Sequence, residues 1–259
     1  MSPPQAMEYS RIFFIGAGPG DPELITVKGL NIINAADIIV YAGSLVPARL
    51  FENARSAKIL DSSSLTLEQT HEIMTTGWKQ GLTVARVHTG DPSLYGTIRE
   101  QTRLLEQEGI PFEIIPGVTS AFAAAAAAGI SFTMPDMNQT LIICRASGRT
   151  KVPDQQSLKQ LAASRSSMAI YLSAGLVHEI KKQLLQAGLE PDTRVVIGWK
   201  TGWPEERLIH TTLQELNISV QEHGISSQAV FLVLPDQEKP SRSSLYHPDF
   251  SHGYRKKKK

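Results

Sequence analysis

The residue types best suited to bind a ligand lie in two glycine-containing turns, each directly after an apolar run. Gly16-Ala17-Gly18-Pro19-Gly20-Asp21-Pro22 follows the predicted strand Ile12–Ile15, and Thr89-Gly90-Asp91-Pro92 follows the predicted strand Val84–His88. Glycine-rich turns between a strand and a helix are where α/β proteins bind nucleotide-like ligands, because the backbone there can approach the ligand closely. We expect the two turns to form one ligand-binding edge.

The first turn lacks the pattern of a dinucleotide site. The G-x-G-x-x-G fingerprint requires a third glycine where this chain has Asp21. Asp21 followed by Pro22 is typical of a helix N-cap with proline at the first helical position, and its carboxylate occupies the helix end that would otherwise receive a phosphate. Pro19 and Pro22 also lack N–H donors. We therefore expect a small ligand that is not strongly anionic, and an NAD(P) oxidoreductase is a disfavoured alternative.

Other catalytic patterns are absent from the sequence. The seven histidines include no H-x-x-x-H spacing and no pairing with a cysteine at zinc-ligand spacing, so we expect no metal site. The sequence contains neither the G-x-S-x-G nucleophile motif nor a P-loop. What remains fits a reaction in which the bound molecules carry the reactivity. Methyl transfer from a sulfonium is such a reaction, because the enzyme mainly aligns the two reactants.

Composition limits the partners of the protein. The chain has 259 residues and a formal net charge of +1, so neither nucleic acid nor a membrane surface is required. The single cysteine, Cys144, lies in an apolar run and is predicted to be a buried thiol. No signal pattern or membrane-spanning run is found, so we expect a cytoplasmic protein. The basic tail Arg255–Lys259 is predicted to be solvated; a nucleic-acid-binding module that uses this tail is the alternative.

Short apolar runs alternate with helical patterns in the first half of the chain. Alternation of this kind predicts an α/β fold with a mostly parallel sheet covered by helices. Helices are predicted after the capping box at Thr66, after Thr97 and over Thr119–Ala128. The predicted strands are Ile12–Ile15, Ile38–Tyr41, Lys58–Leu60, Thr83–His88 and Phe112–Ile115.

The second half predicts a second α/β lobe. Residues 206–212 are close in sequence to the preceding strand, which permits antiparallel pairing. The predicted strands are Thr140–Cys144, Met168–Leu172, Arg194–Trp199, Glu206–Thr212 and Gln228–Leu234. The predicted division is an N-terminal lobe at 1–117, a junction helix and connector at 118–137, a C-terminal lobe at 138–236, and an arm or tail at 237–259.

Three motifs occur in an order found in a known family. Gly16–Pro22, Thr89–Pro92 and Pro116-Gly117-Val118-Thr119-Ser120-Ala121 resemble the corresponding motifs of the tetrapyrrole (corrin/porphyrin) methylases. The resemblance covers residues 11–235. It implies two α/β lobes with S-adenosylmethionine in the cleft between them, S-adenosylhomocysteine as the product, and a homodimer.

Further segments resemble one subgroup of that family. Tyr41–Pro47, Gly148–Pro153 and Gly202–Glu206 are similar to members that methylate C11 of precorrin-4, or of its cobalt complex, in cobalamin biosynthesis. The C-terminal Leu245-Tyr246 and Phe250–His252 are similar as well, whereas Lys151 stands where proline is expected. Methylation of another precorrin carbon or of uroporphyrinogen III remains an alternative, and the sequence does not decide whether the acceptor carries cobalt.

The resemblance also implies which residues bind the two reactants, and it identifies no general base or other catalytic residue. The implied cofactor-binding residues are Pro19, Thr89, Gly90, Asp91, Tyr95, Thr119, Ser120, Leu172 and Ala229. A precorrin carries many carboxylates, and arginine binds carboxylates in a bidentate manner, so Arg145 and Arg149 are acceptor-binding candidates. Tyr41, Ser44 and Trp203 are candidates for lining the macrocycle.

Overall fold

The computed structural model describes residues 11–54, 57–235, 242–247, 250–251 and 253–255. The lysine run Lys256–Lys259, which the nucleic-acid hypothesis requires, lies outside the described residues. The described chain forms two compact units, of which the first ends at Ser120 and the second begins at Ala121. The finer division into a junction segment and a C-terminal arm stays a prediction.

The first unit is a parallel sheet, as predicted. All four strand pairings are parallel, and the strand order is β3-β2-β4-β1-β5. Its strands are β1 (Ile12–Gly16), β2 (Ile38–Tyr41), β3 (Lys58–Asp61), β4 (Val84–His88) and β5 (Phe112–Ile115). Its helices are α1 (Val27–Ala35), α2 (Leu67–Lys79) and α3 (Ile98–Gln107).

The central strand β1 is buried on both faces of this sheet. Phe13 and Ile15 belong to one apolar cluster, whereas Ile12 and Phe14 belong to the cluster on the opposite face. Because helices cover both faces, the strand is a continuous apolar run rather than an alternating one. This burial fixes the position of the turn that begins at Gly16.

Helix starts follow the predicted capping chemistry in part. The capping box of α2 is present, since Thr66 Oγ1 accepts from Gln69 N and Gln69 Oε1 accepts from Thr66 N. Asp21 caps only a three-residue 3₁₀ helix, Pro22–Leu24, and α1 begins later, after a second cap at Thr26. Thr97 precedes α3 as predicted, but it lies at φ +49° and its side chain makes no capping hydrogen bond.

The second unit is built on a mixed sheet with the strand order β6-β7-β10-β8-β9. Its strands are β6 (Leu141–Arg145), β7 (Ser167–Tyr171), β8 (Arg194–Trp199), β9 (Arg207–Thr212) and β10 (Ala229–Leu234). Its helices are α4 (Ser120–Ala127), α5 (Leu158–Ala162), α6 (Val177–Gln186) and α7 (Leu216–Glu222). β6 and β7 are parallel, and the predicted antiparallel pairing of β9 with β8 is confirmed.

The alanine-rich helix α4 packs closely against this sheet. A Cβ added to Gly198 of β8 would lie 2.7 Å from the Cβ of Ala124. Small side chains on both elements therefore permit the helix to approach the strand. Within the described chain, no helix is both long and apolar enough to cross a membrane.

The only cysteine of the chain, Cys144 of β6, is buried and unpaired, as predicted. Burial raises the pKa of its thiol to about 12. The thiolate is the nucleophilic form of cysteine, so Cys144 is not an active nucleophile at neutral pH.

Candidate functional site

The parallel strands of the first unit bring several predicted site residues to one edge. Because β1, β2, β4 and β5 all run in the same direction, the segments that follow them leave the sheet at its carboxyl edge. Ligands of open α/β sheets bind at this edge. The predicted residues on these segments are Pro19, Tyr41, Ser44, Thr89, Gly90, Asp91, Tyr95, Thr119 and Ser120.

The turns after β1 and β4 are joined to each other by their backbones. Gly90 N donates to Gly18 O at 2.7 Å, and Gly18 N donates to Gly90 O at 3.3 Å. Ala17 N donates to His88 O at 2.8 Å, which continues the strand pairing into the turns. The two Gly-Asp-Pro turns therefore form one edge, as the sequence predicts.

Gly117, which follows β5, meets the same two turns at very short range. A Cβ on Gly117 would lie 2.1 Å from Gly90 O and 2.8 Å from Gly16 Cα, and a Cβ on Gly16 would lie 2.6 Å from Gly117 Cα. We call Gly16, Gly90 and Gly117 the glycine crossing. Three segments approach each other here as closely as bare backbones allow. Thr119 lies beside them, since its Cα would be 3.8 Å from a Cβ on Gly90.

The Asp91 carboxylate fastens the turn after β4 to the segment after β5. Its Oδ2 accepts from Gly117 N at 2.9 Å, and its Oδ1 accepts from Ser93 N at 2.8 Å. Hydrogen bonds to an ionised carboxylate are stronger than neutral ones. Asp91 therefore holds the glycine crossing together, which is a role that the sequence analysis did not assign to it.

The remaining predicted residues of the first unit differ in exposure. Pro19 is buried, Thr89 and Tyr41 are half-buried, and Tyr95 is exposed at φ +56°. A positive φ is uncommon for residues other than glycine, and such strain concentrates at functional sites. The backbone of Ser44 lies in a short 3₁₀ helix, Gly43–Leu45, and its side chain lies outside the described structure.

A buried guanidinium lies below this edge, where sequence reasoning did not place one. Arg86 of β4 donates from Nε to Gln101 Oε1 at 3.1 Å and from Nη1 to Ser62 Oγ at 2.8 Å. The Ser62 hydroxyl donates in turn to Tyr41 O at 2.8 Å. Burial lowers the pKa of Arg86 to about 10, so the side chain stays charged at neutral pH. Arg86 thus ties the end of β2 to β4.

His88 is the second buried polar group of β4 that the sequence analysis did not place at the site. The residue is 4% exposed, its ring stacks on Phe14 with 6.0 Å between centroids, and its Nε2 has no hydrogen-bond partner within the described structure. Burial, aided by the charge of Arg86, lowers the pKa of His88 to about 3. A histidine and an arginine at alternating positions of an apolar strand are the sequence signal for this pair.

The predicted residues of the second unit also lie at a single edge of their sheet. β6, β7 and β8 run in one direction, and β10 runs opposite to β7 and β8. The ends of the first three strands and the start of β10 are therefore at the same edge. The predicted residues found there are Arg145, Arg149, Leu172, Trp203 and Ala229.

Leu172 has the most unusual backbone of these residues. It follows β7 immediately, lies at φ +53° and is 69% exposed. An apolar side chain in the left-handed region and in solvent is unfavourable on both counts. The surrounding hydrogen bonds must impose this conformation. The backbone of Leu172 is presented at the edge, and its use in binding the cofactor stays a prediction.

The guanidinium of Arg145 is hydrogen-bonded to backbone carbonyls of the loop that follows it. Its guanidinium donates to Thr150 O at 3.0 Å, to Lys151 O at 3.1 Å and to Ala146 O at 3.3 Å. The side chain therefore shapes the loop 146–152, on which Arg149 is exposed. Binding of an acceptor carboxylate by Arg145 or Arg149 stays a prediction, and the geometry favours Arg149 for direct contact.

The turn between β8 and β9 carries Trp203. Gly202 N donates to Glu206 Oε2 at 2.7 Å, and Trp203 N donates to Lys200 O at 2.9 Å. Lys200 N donates to Gln228 O at 2.9 Å, which joins this turn to the residue before Ala229. The indole of Trp203 is half-buried. In the part of the chain that the structure describes, no cluster of His, Cys, Asp or Glu side chains has the arrangement of a metal site.

The arrangement at the first edge fits a small ligand better than a dinucleotide. The Asp21 carboxylate accepts from Glu23 N at 2.9 Å, so it occupies the helix terminus that would bind a phosphate. The glycine crossing leaves backbone rather than side chains at the edge. These features suit a compact ligand that carries no phosphate groups.

The fold and the similarity of the chain to known proteins define a methylase. The chain belongs to the Tetrapyrrole (Corrin/Porphyrin) Methylases, whose family model matches residues 11–217. A Precorrin-4 C(11)-methyltransferase from Pseudomonas aeruginosa is 42% identical over 246 residues, which are 94% of this chain and 98% of that protein. The family resemblance drawn from the sequence is thereby confirmed.

Two solved structures are also similar to this chain. The X-ray structure of a cobalt precorrin-4 methyltransferase of cobalamin biosynthesis has a TM-score of 0.85 and 44% identity, and the match covers 86% of this chain and 94% of that one. A uroporphyrin-III C-methyltransferase from Thermus thermophilus, in complex with S-adenosylhomocysteine, has a TM-score of 0.72 and 25% identity, with 87% and 97% of the two chains covered. The predicted fold class is thereby confirmed.

Proposed function

We propose that this protein transfers a methyl group from S-adenosylmethionine to C11 of precorrin-4, or of its cobalt complex, and gives the corresponding precorrin-5. The observation that carries the proposal is near-full-length similarity to relatives named for this reaction, at 42% and 44% identity. The two relatives differ in whether their names include cobalt, and their identities to this chain are nearly equal. The experiment described below therefore uses both precorrin-4 and cobalt-precorrin-4 as acceptors.

The donor is proposed to bind at the glycine crossing and at Leu172. S-adenosylmethionine, when bound, supplies an electrophilic methyl group on a sulfonium. Backbone groups at Thr89 and Gly90 are suited to its amino-acid part. Each of the other proposed residues, Pro19, Tyr95, Thr119 and Ser120, is close along the chain to one glycine of the crossing. Leu172 and Ala229 are proposed for the adenine.

The role of the protein in this reaction is binding and alignment. Asp91 and Arg145 each hold a loop in a fixed shape, so the groups on those loops are oriented before the reactants bind. Pre-organisation of this kind lowers the entropic part of the barrier. We assign no general base, because the acceptor carbon belongs to an electron-rich conjugated system that can attack unaided.

The acceptor is proposed to be held by Arg149 through its carboxylates, with Tyr41, Ser44 and Trp203 along the macrocycle. A guanidinium on an exposed loop can pair with a carboxylate in a bidentate manner. We also propose, from the family resemblance, a cytoplasmic homodimer. Light scattering during size-exclusion chromatography gives the mass that tests the dimer.

The proposal is tested by incubating the protein with methyl-labelled S-adenosylmethionine and either precorrin-4 or cobalt-precorrin-4. We expect mass spectrometry to show the gain of one labelled methyl group, which NMR locates at C11. The faster acceptor is the preferred one. If neither acceptor gains a methyl while S-adenosylhomocysteine still binds, the C11 assignment is wrong and another tetrapyrrole is the acceptor.

Substitution of Asp91 tests the donor position. We expect Asp91→Ala to weaken S-adenosylhomocysteine binding about tenfold, equivalent to about 1.4 kcal/mol. The reason is that the amides of Ser93 and Gly117 lose their carboxylate acceptor. Isothermal titration calorimetry measures the change. Asp91→Asn keeps one acceptor and should lose less, and the exposed Asp192→Ala is the matched control. Unchanged affinity in Asp91→Ala would contradict the proposed donor position.

A further inference from the structure

The end of strand β7 is bonded to the start of helix α4. The hydroxyl oxygen of Tyr171 accepts from Ala121 N at 2.8 Å. The first amides of a helix have no partner within the helix, so this bond supplies one of them with an acceptor. Ala121 directly follows Thr119 and Ser120, which are two of the proposed donor-binding residues. The phenol of Tyr171 therefore fixes the chain immediately after them.

A second set of bonds fixes the residue after Leu172. The Ser173 hydroxyl donates to Tyr171 O at 2.6 Å and accepts from Ala146 N at 2.8 Å. Ser173 is 1% exposed, so water does not replace these bonds. Ala146 follows Arg145 and begins the loop that carries Arg149. Ser173 thereby connects the end of β7 to the proposed acceptor-binding loop.

Leu172 lies between these two bonded residues. Its left-handed backbone is unfavourable for leucine, yet it is held by Tyr171 on one side and by Ser173 on the other. The phenol of Tyr171 therefore restrains two segments at once. One is the start of α4 after Thr119 and Ser120, and the other is Leu172, which follows Tyr171 directly.

We propose that Tyr171 is a positioning residue for the methyl donor, acting through Ala121 and Leu172, and that Ser173 positions the loop that binds the acceptor. The inference rests on the proposed function. It assigns different effects to two hydroxyl groups that are only two positions apart in the chain. Loss of the Tyr171 hydroxyl should weaken binding of the donor alone, whereas loss of the Ser173 hydroxyl should weaken binding of the acceptor and, through Leu172, of the donor.

Tyr171→Phe isolates the hydroxyl, because the ring and its packing in the apolar cluster of the sheet are retained. We expect the Kd for S-adenosylhomocysteine to rise about fivefold to tenfold, in line with loss of one buried hydrogen bond. The KM for the acceptor should stay within twofold. Amide hydrogen exchange at Ala121 should accelerate in the ligand-free protein. Tyr254→Phe, on a fully exposed ring in the C-terminal segment, is the matched control.

Ser173→Ala should differ from Tyr171→Phe, with a raised KM for the acceptor and also a raised Kd for S-adenosylhomocysteine, because the lost hydroxyl bonds to Tyr171 O across Leu172. An unchanged KM for the acceptor would show that the inference about Ser173 is wrong. If Tyr171→Phe binds S-adenosylhomocysteine as tightly as the parent, or if its only effect is a lower melting temperature, the inference about Tyr171 is wrong and the proposed function stands. If the parent itself binds no S-adenosylhomocysteine, the proposed donor and this inference are both wrong.

Discussion

Replacement of Gly117 by alanine is expected to destabilise the first unit by at least about 3 kcal/mol. The added Cβ would lie 2.1 Å from Gly90 O, and its other close neighbours are backbone atoms of Gly16. Backbone atoms cannot rotate away as a flexible side chain can, so the three segments must separate. Chemical denaturation of the ligand-free protein measures the loss as a shift of the transition midpoint.

The same crossing provides a graded series of controls. Gly90→Ala meets no atom closer than 3.8 Å, but its φ of +61° makes alanine unfavourable by about 1–2 kcal/mol. Gly175→Ala meets nothing within 4 Å and should change stability by less than about 0.5 kcal/mol. A Gly117→Ala variant as stable as Gly175→Ala would show that the three segments are not in contact in solution.

Acidification is expected to destabilise the protein through His88. The folded-state pKa is lowered to about 3, first by burial and then by the charge of Arg86, whereas the unfolded histidine titrates near about 6.5. Below that value the unfolded state binds a proton that the folded state does not bind. The contribution of neutral His88 to the free energy of unfolding is complete well above about pH 6.5. It decreases by about 1.4 kcal/mol for each unit that the pH falls from 6.5 towards 3.

His88→Leu should remove this part of the pH dependence. Between pH 6.5 and 4.5 we expect the variant to lose about 2 kcal/mol less than the parent, measured as free energy of unfolding in urea. The exposed His210→Leu leaves His88 intact and should keep the slope of the parent. Equal slopes in the parent and in His88→Leu would show that the buried imidazole does not control acid stability.

Most strands could be predicted because their burial leaves a clear pattern. β1 is enclosed on both faces, and such a strand appears as a continuous apolar run before turn residues. Helices α5 and α7 were not predicted, because five and seven residues are too few to establish a helical period. Thr97 shows a further limit, since its residue type indicates a cap but its left-handed backbone prevents the capping bond.

The sequence predicts which chain segments form the site, but it does not predict the hydrogen bonds that join them. Glycines and Gly-Asp-Pro turns indicated which segments meet, because only such residues permit the close approach. The partners of Asp91 and Arg145 are backbone groups, namely the amide of Gly117 and the carbonyls of the loop 146–152. Every residue type offers a backbone carbonyl and every type except proline offers an amide N–H, so no sequence pattern marks these partners. For the same reason, no sequence pattern indicates the hydrogen bond from Ala121 N to the hydroxyl of Tyr171.

The glycine crossing has a consequence for the order of folding. Gly16, Gly90 and Gly117 are distant along the chain, and each lies at or just after the end of a different strand of the first sheet. Contacts between distant residues require large loops to close, and they form late because the entropy of closure is lost first. The helices of this unit can form early from local contacts. Competence to bind the donor should therefore be acquired last, so ligand binding during refolding reports on completion of the whole sheet.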